Sequence, residues 1–264
     1  MSLKINSVSK IFNKNTPDEH KGLDNINFSV SDGEFITIIG GNGAGKSTLF
    51  NVISGTVLCD SGNIELDGID ITYIPEYKRA AFIGRIFQDP MKGTAPNMTV
   101  GENLIIAYMR STKKNILISP SKKDKLFIRE RLSQLGLGLE DRMNTKIGLL
   151  SGGQRQAITL VMATLVKPKL LLLDEHTAAL DPVSAKSVLE LTNKIVLGNN
   201  ITTLMITHNI TSALELGNRT IMMDSGNIAV DIGGSERKNM SVQDLLDKFN
   251  KIKNKVFDDD KVLL

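Results

Sequence analysis

Residues 40–48 read Gly40-Gly41-Asn42-Gly43-Ala44-Gly45-Lys46-Ser47-Thr48, and this run constrains the chain more than any other feature in it. It fits the spacing Gly, four residues, Gly-Lys-Ser. It lies between the apolar stretch Phe35-Ile36-Thr37-Ile38-Ile39 and a helix-like run carrying Leu49, Phe50, Val52 and Ile53. A strand, a glycine loop and a helix in that order make a phosphate-binding loop. The glycines let backbone N–H groups curl round an anion, and the new helix points its positive end at it. On this reading Gly40, Asn42, Gly43, Ala44, Gly45 and Thr48 form the cradle, Lys46 reaches the β- and γ-phosphates of a nucleotide, and Ser47 offers its hydroxyl to Mg²⁺.

Such a loop needs a carboxylate strand to hold the metal, and Leu170-Leu171-Leu172-Leu173-Asp174-Glu175 supplies one. Asp174 at the strand end binds Mg²⁺ through its water shell, and Glu175, one residue on, polarises the attacking water. A second glycine-led helix start follows a different rule. Leu150-Ser151-Gly152-Gly153-Gln154-Arg155-Gln156 places Ser and two Gly ahead of a helix predicted to begin near Gln154, making another anion-binding N-terminus. One nucleotide does not need both from one polypeptide. The economical arrangement is a head-to-tail dimer, in which Ser151, Gly152, Gly153 and Gln154 close over the nucleotide held by the partner copy.

The remaining pattern is that of an α/β core with additions. Over 3–30 the alternation of Leu23, Ile26, Phe28 and Val30, broken by Asn13-Lys14-Asn15-Thr16-Pro17, predicts two antiparallel strands and a loop. Asn63-Ile64-Glu65-Leu66 before Asp67-Gly68 reads as a strand and a turn. Phe35 to Ile39, Leu170 to Leu173 and Thr203-Leu204-Met205-Ile206 are continuous apolar runs, as expected of strands buried on both faces of a parallel sheet. From Thr99 to about Val166 no strand run appears. Leu104, Ile105, Ala107 and Tyr108, then Leu126, Ile128, Leu132 and Leu135, have helical spacing, so residues 89–166 read as a helical insert within a nucleotide-binding domain spanning 1–234. Residues 111–125, rich in Lys and Ser, read as a solvated loop. After Gly233-Gly234, residues 235–264 form a short tail in which Ser241-Val242-Gln243-Asp244 opens an amphipathic helix with Leu245, Leu246, Phe249 and Ile252 on one side.

Composition removes several classes of function. With 41% hydrophobic residues in 264 the chain can build a core, and one cysteine, Cys59, fits a reducing compartment. The N-terminus lacks the basic and apolar segments of a secretory signal, and no apolar run approaches the roughly 20 residues of a membrane helix. Lys+Arg 32 against Asp+Glu 29 gives +3, and no aromatic residue interleaves the basic stretch, so nucleic acid is not an expected partner. A guanine-nucleotide switch is excluded as well, because Asn13-Lys14-Asn15 is followed by Thr16 rather than the Asp that guanine recognition requires.

At this point the sequence resembles the ATP-binding cassette (ABC) ATPases, from about Leu3 to Ile232. The motifs fall in the family's order: the phosphate loop, Gln88 in Arg85-Ile86-Phe87-Gln88-Asp89-Pro90, the signature at Leu150 to Gln154, the metal strand ending at Asp174-Glu175, Ala179-Leu180-Asp181, and His208 in Thr207-His208-Asn209. The resemblance implies an α/β phosphate-loop core of ABC type, with an antiparallel β subdomain and a helical insert. It implies ATP and Mg²⁺ as cofactors and ATP hydrolysis as the activity. It makes Phe12 the aromatic that stacks on adenine, Gln88 a metal and water contact, His208 the residue that holds the γ-phosphate and orients Glu175, and Asp181 a contact to the opposite subunit's phosphate loop.

The residues from 151–157 and 174–182 are similar to those of a bacterial uptake subfamily with amino acids as cargo. That resemblance implies a peripheral subunit on the cytoplasmic face of the membrane, partnered by a second copy of itself, permease subunits and a solute-binding protein. The alternative is a soluble ABC ATPase acting on nucleic acid or ribosomes. Against it, no second phosphate loop and no sustained heptads are present. The chain departs from the family at His176, where proline is usual. A histidine there either perturbs the neighbouring Glu175 or is a substitution tolerated in a turn.

Overall fold

The structure, a computed structural model, describes residues 2–112 and 120–251. Its strands are β1 (Leu3–Phe12), β2 (His20–Val30), β3 (Phe35–Gly40), β4 (Ser61–Leu66), β5 (Ile69–Asp70), β6 (Ile83–Ile86), β7 (Leu170–Asp174), β8 (Thr203–Ile206), β9 (Arg219–Asp224) and β10 (Asn227–Gly233). Its helices are α1 (Lys46–Ser54), α2 (Glu76–Arg79), α3 (Val100–Thr112), α4 (Lys122–Ser133), α5 (Gly152–Thr164), α6 (Pro182–Gly198), α7 (Ile210–Glu215) and α8 (Gly234–Lys238), and residues 242–251 are also helical. The chain divides into two compact units, residues 1–73 with 204–264, and residues 74–203.

In the first unit β2-β1-β4-β5 form an antiparallel sheet, and β10-β9-β3-β8 lie side by side in a second. The expected pairing of the first two strands is present, with Leu3 opposite Val30 and Phe12 opposite His20. β3 runs parallel to β9, whereas β10 returns antiparallel to it. Five of the six residues of β3 are buried, which is why that strand reads as an unbroken apolar run. The tail starts as the sequence predicts: the backbone N and Oγ of Ser241 donate to the Asp244 carboxylate, and Asp244 N donates back to Ser241 Oγ at 3.2 Å. Leu245 is wholly buried and Phe249 packs beside it, against Ile39, Met222 and Val230. Ile252 lies outside the described residues.

In the second unit β6 and β7 pair in parallel, with Ile83 opposite Leu170. Between them in sequence come α3, α4 and α5, whose apolar faces share a core of Leu104, Ile128, Leu132, Ile158 and Val161. One expectation is corrected here. Residues 111–125 are not one solvated loop, because Ser111 and Thr112 close α3 and α4 begins at Lys122. The hydroxyls of Ser111 and Thr112 bond back to the carbonyls of Ala107 and Tyr108, at 3.0 and 2.8 Å. Ser121 then starts α4 with a reciprocal cap to Asp124, so Ser121-Lys122-Lys123-Asp124 is a helix start despite its loop-like composition. Residues 113–119 lie outside the described residues.

Candidate functional site

The phosphate loop is built in the first unit by the turn from β3 into α1. Gly45 takes the N-cap position at φ +97°, left-handed backbone that suits glycine, and no side chain caps the helix there. A Cβ on Gly45 would come within 2.5 Å of the Gly22 carbonyl oxygen, so a larger residue is also excluded by packing. The Lys46 ammonium donates to the carbonyls of Gly40 and Gly41 at 2.9 and 2.8 Å, which holds a cation at the mouth of the loop. Ser47, the next residue of α1, is exposed. Gly22 on β2 brings Phe12 to this loop. A Cβ at Gly22 would meet the Phe12 ring at 2.6 Å and the Thr48 methyl at 3.1 Å, so the bare glycine seats the aromatic beside the cradle.

His208 also belongs to the first unit. It is exposed and follows β8, whose continuation is tied to β3 by the hydrogen bond from Thr207 N to Ile38 O at 3.1 Å. The next residue, Asn209, caps α7 by accepting from Ser212 N.

The second unit holds Gln88, Ser151 to Gln154, Asp174, Glu175 and Asp181. Gln88 is exposed in the bend after β6. Asp174 ends β7, where its carboxylate accepts a hydrogen bond from the Arg85 guanidinium at 3.3 Å. These two side chains are 15% and 12% exposed. The same guanidinium lies over the Phe87 ring, 4.8 Å from its centroid. Arg85 is a partner that sequence reasoning missed, because only the pairing of β6 with β7 places it beside a residue 89 positions away. Glu175 adopts φ +47° immediately after the strand. A non-glycine residue in that region is uncommon and is held there by its surroundings, a feature concentrated at functional sites.

The signature segment begins α5 two residues earlier than the sequence suggests, at Gly152. Ser151 caps the helix through its hydroxyl, which accepts from Gln154 N, and Gln154 Oε1 accepts from Ser151 N, the two halves of a capping box. The fold brings this segment against the one that follows Glu175. A Cβ on Gly152 would be 3.0 Å from Leu180, and one on Gly153 would be 3.1 Å from Ser184. Asp181 caps α6, accepting from Ser184 N at 3.0 Å, and the hydrogen bonds from Ser184 hold its carboxyl below the usual carboxylate range.

His176 is turned inward and is 2% exposed. Thr192 donates its hydroxyl proton to Val188 O, so at its 3.1 Å contact with His176 Nε2 the threonine oxygen is the acceptor and Nε2 carries the proton. Burial pushes the imidazole down to about 4, and it is therefore neutral near pH 7. Its hydrogen bond goes to α6, which makes it an anchor for the segment beyond β7.

A loop with a fixed cation, a left-handed glycine and an aromatic neighbour fits a nucleoside triphosphate. The hydroxyl of Ser47 in the first unit and the carboxylate of Asp174 in the second are each hard oxygen donors of the kind Mg²⁺ takes. The class these features define is that of phosphate-loop ATPases of cassette type. The ABC transporter family pattern matches residues 23–178, and the chain belongs to that family. It is an ABC ATPase, hydrolysing ATP to drive transport.

Among known proteins, the chain is 44% identical over 247 residues to the tyrosine transport ATP-binding protein of Clostridioides difficile, covering 94% of this chain and 98% of that protein. It is 34% identical to the phosphonates import ATP-binding protein PhnC of Lactococcus lactis, over 87% of this chain and 92% of that protein. The ADP conformation of MJ1267, an ATP-binding cassette of an ABC transporter, superposes with a TM-score of 0.77 at 30% identity, over 96% of this chain and 98% of that one. The dimeric post-hydrolysis state of the cassette MJ0796 bound to ADP and Pi gives 0.73 at 27% identity, over 88% and 98%.

Proposed function

We propose that this ATPase powers uptake of a small solute, with an aromatic amino acid such as tyrosine as cargo, through a separate membrane permease served by a solute-binding protein. The observation that carries the reading is the 44% identity extending over nearly the full length of a tyrosine transport ATP-binding protein. Among the described residues no helix is long and apolar enough to cross a membrane. In this reading the permease holds the chain at the cytoplasmic face of the membrane, where ATP is supplied.

The roles of individual residues follow the motifs. ATP supplies the phosphoanhydride to be cleaved, and Mg²⁺, which Ser47 and Gln88 would contact and Asp174 would hold through its water shell, would neutralise charge on the phosphates. Phe12 receives the base, and the backbone of Gly40, Asn42, Gly43, Ala44, Gly45 and Thr48 cradles the phosphates while Lys46 pairs with their charge. Glu175 accepts the water's proton, and Gln88 and His208 orient that water and the γ-phosphate. Ser151, Gly152, Gly153, Gln154 and Asp181 act on the nucleotide of a second copy, in a head-to-tail dimer supported by the dimeric cassette of MJ0796.

The permease contact lies in the second unit. A cleft of about 270 Å³ there is lined by Phe87, Pro90, Lys92, Gly93, Asn103 and Ile106, just after Gln88. Asp89 closes the 3₁₀ turn Pro90–Gly93 by accepting from Met91 N, and Met91 stands 37% exposed on it. A short helix of the permease seated on this turn would feel motion at Gln88 directly. The test is uptake of labelled tyrosine into vesicles holding the complex purified from native membranes. Met91→Glu should leave ATP hydrolysis by the free subunit unchanged and abolish ATP-dependent uptake. Uptake at the wild-type rate, or a chain that copurifies with no membrane protein, contradicts the proposal.

A further inference from the structure

We infer that His20 is a positioning residue for nucleotide binding: it braces Phe12, so that the base meets a fixed aromatic surface rather than a mobile ring. The inference rests on the proposed role of Phe12 as the base platform.

Four observations in the first unit carry it. Phe12 and His20 are direct cross-strand partners in the β1–β2 ladder and so project from the same face of the sheet. Their rings are stacked, with centroids 5.3 Å apart and planes inclined by 23°. His20 is itself tied down, since Asp18 O can only accept and so takes a proton from Nδ1 at 3.2 Å. Lys10, two residues before Phe12, holds its ammonium 5.6 Å from the Phe12 centroid and is anchored in turn by Asp60 at 3.3 Å.

Phe12 is thus held by His20 across the ladder and by Lys10 along its own strand, while bare Gly22 leaves room for the ring beside Thr48. Fixing a ring before the ligand arrives removes the entropy that would otherwise be lost on stacking, and the gain appears as affinity for the base. Because stacking accepts any π-face, another aromatic residue at position 20 should serve as well as histidine.

The experiment is calorimetric titration of the full chain with ATP and, separately, with inorganic tripolyphosphate, which has the phosphates and no base. Alanine removal of a stacking ring costs a nucleotide-binding protein about 10- to 100-fold in affinity, and Phe12→Ala should weaken ATP by that order. His20→Ala should weaken ATP by about 3- to 10-fold, raise KM with kcat unchanged, and leave tripolyphosphate binding unaltered. His20→Tyr should restore ATP affinity. The double variant should bind ATP no more weakly than Phe12→Ala alone, because His20 acts through Phe12. Wild-type ATP affinity in His20→Ala, or an equal loss for tripolyphosphate, overturns the inference while leaving the platform intact. Wild-type ATP affinity in Phe12→Ala is a different failure and refutes the platform itself.

Discussion

The starts of α1 and α5 both carry glycines, and they solve the problem of an exposed N-terminus in opposite ways. α1 begins at the left-handed Gly45, with no side chain to close it and with the Lys46 ammonium drawn over the loop carbonyls. α5 begins behind Ser151, whose hydroxyl and the Gln154 amide close the helix reciprocally. The first end is organised to take an anion from outside, because backbone donors and a fixed cation converge where no side-chain cap competes. The second already has an internal partner, so an arriving phosphate gains less from it. Similar glycine-led sequences therefore point to a primary binding site in one unit and a supplementary contact in the other.

The largest expected difference between the two ends is in affinity. Lys46→Ala removes a charge-assisted contact and should weaken ATP binding by about 10- to 100-fold, with hydrolysis lost alongside. Ser151→Ala should leave ATP affinity of the monomer within about 3-fold of wild type and lower hydrolysis. It should also cost about 1 kcal/mol of stability through the lost cap. Calorimetry on the two variants breaks the comparison if Ser151→Ala abolishes monomer binding, or if Lys46→Ala binds as wild type does.

A smaller effect should appear with pH, and on the α5 side. His176 ties the segment after Glu175 to α6, the helix that packs against Gly153. Burial holds its pKa near 4 in the folded protein, against 6.5 for the unperturbed group, so on acidification the unfolded chain takes up the proton first. The contribution to stability is fully present above about 6.5 and is lost as pH falls toward 4, about 2 kcal/mol between pH 7 and pH 5. Denaturant unfolding of His176→Leu should lack that slope while wild type shows it. Equal pH dependence in the two proteins would mean that His176 is not the buried neutral group described above.

How far the sequence could be read follows from how local each cause is. Leu170 to Leu173 are buried on both faces, so their run of leucines announces the strand directly. The phosphate loop is legible because its glycines, lysine and flanking elements are contiguous. The box at Ser241 was readable for the same reason, whereas the equivalent signal at Ser121 was masked by lysines that suggested a loop. Pairings set by tertiary structure left no local trace. Arg85 reaches Asp174 only because β6 lies beside β7, and His20 meets Phe12 only through the register of β1 with β2. Buried Arg237 is similar: its guanidinium donates to the carbonyls of Ala213, Leu216 and Gly217 at the end of α7, a role that a lone arginine in a polar tail does not disclose.

In the proposed mechanism the α1 loop of this ATPase binds the nucleotide and Glu175 removes the proton from water. Glu175→Gln keeps the size and polarity of the side chain and removes its basicity, so it separates binding from chemistry. The direct measurement is steady-state ATP turnover by this variant, alongside gel filtration with ATP and Mg²⁺. Turnover at least about 100-fold below wild type, with nucleotide retained in a species of twice the monomer mass, is the predicted result. Wild-type turnover, with only monomer eluting, would contradict the account.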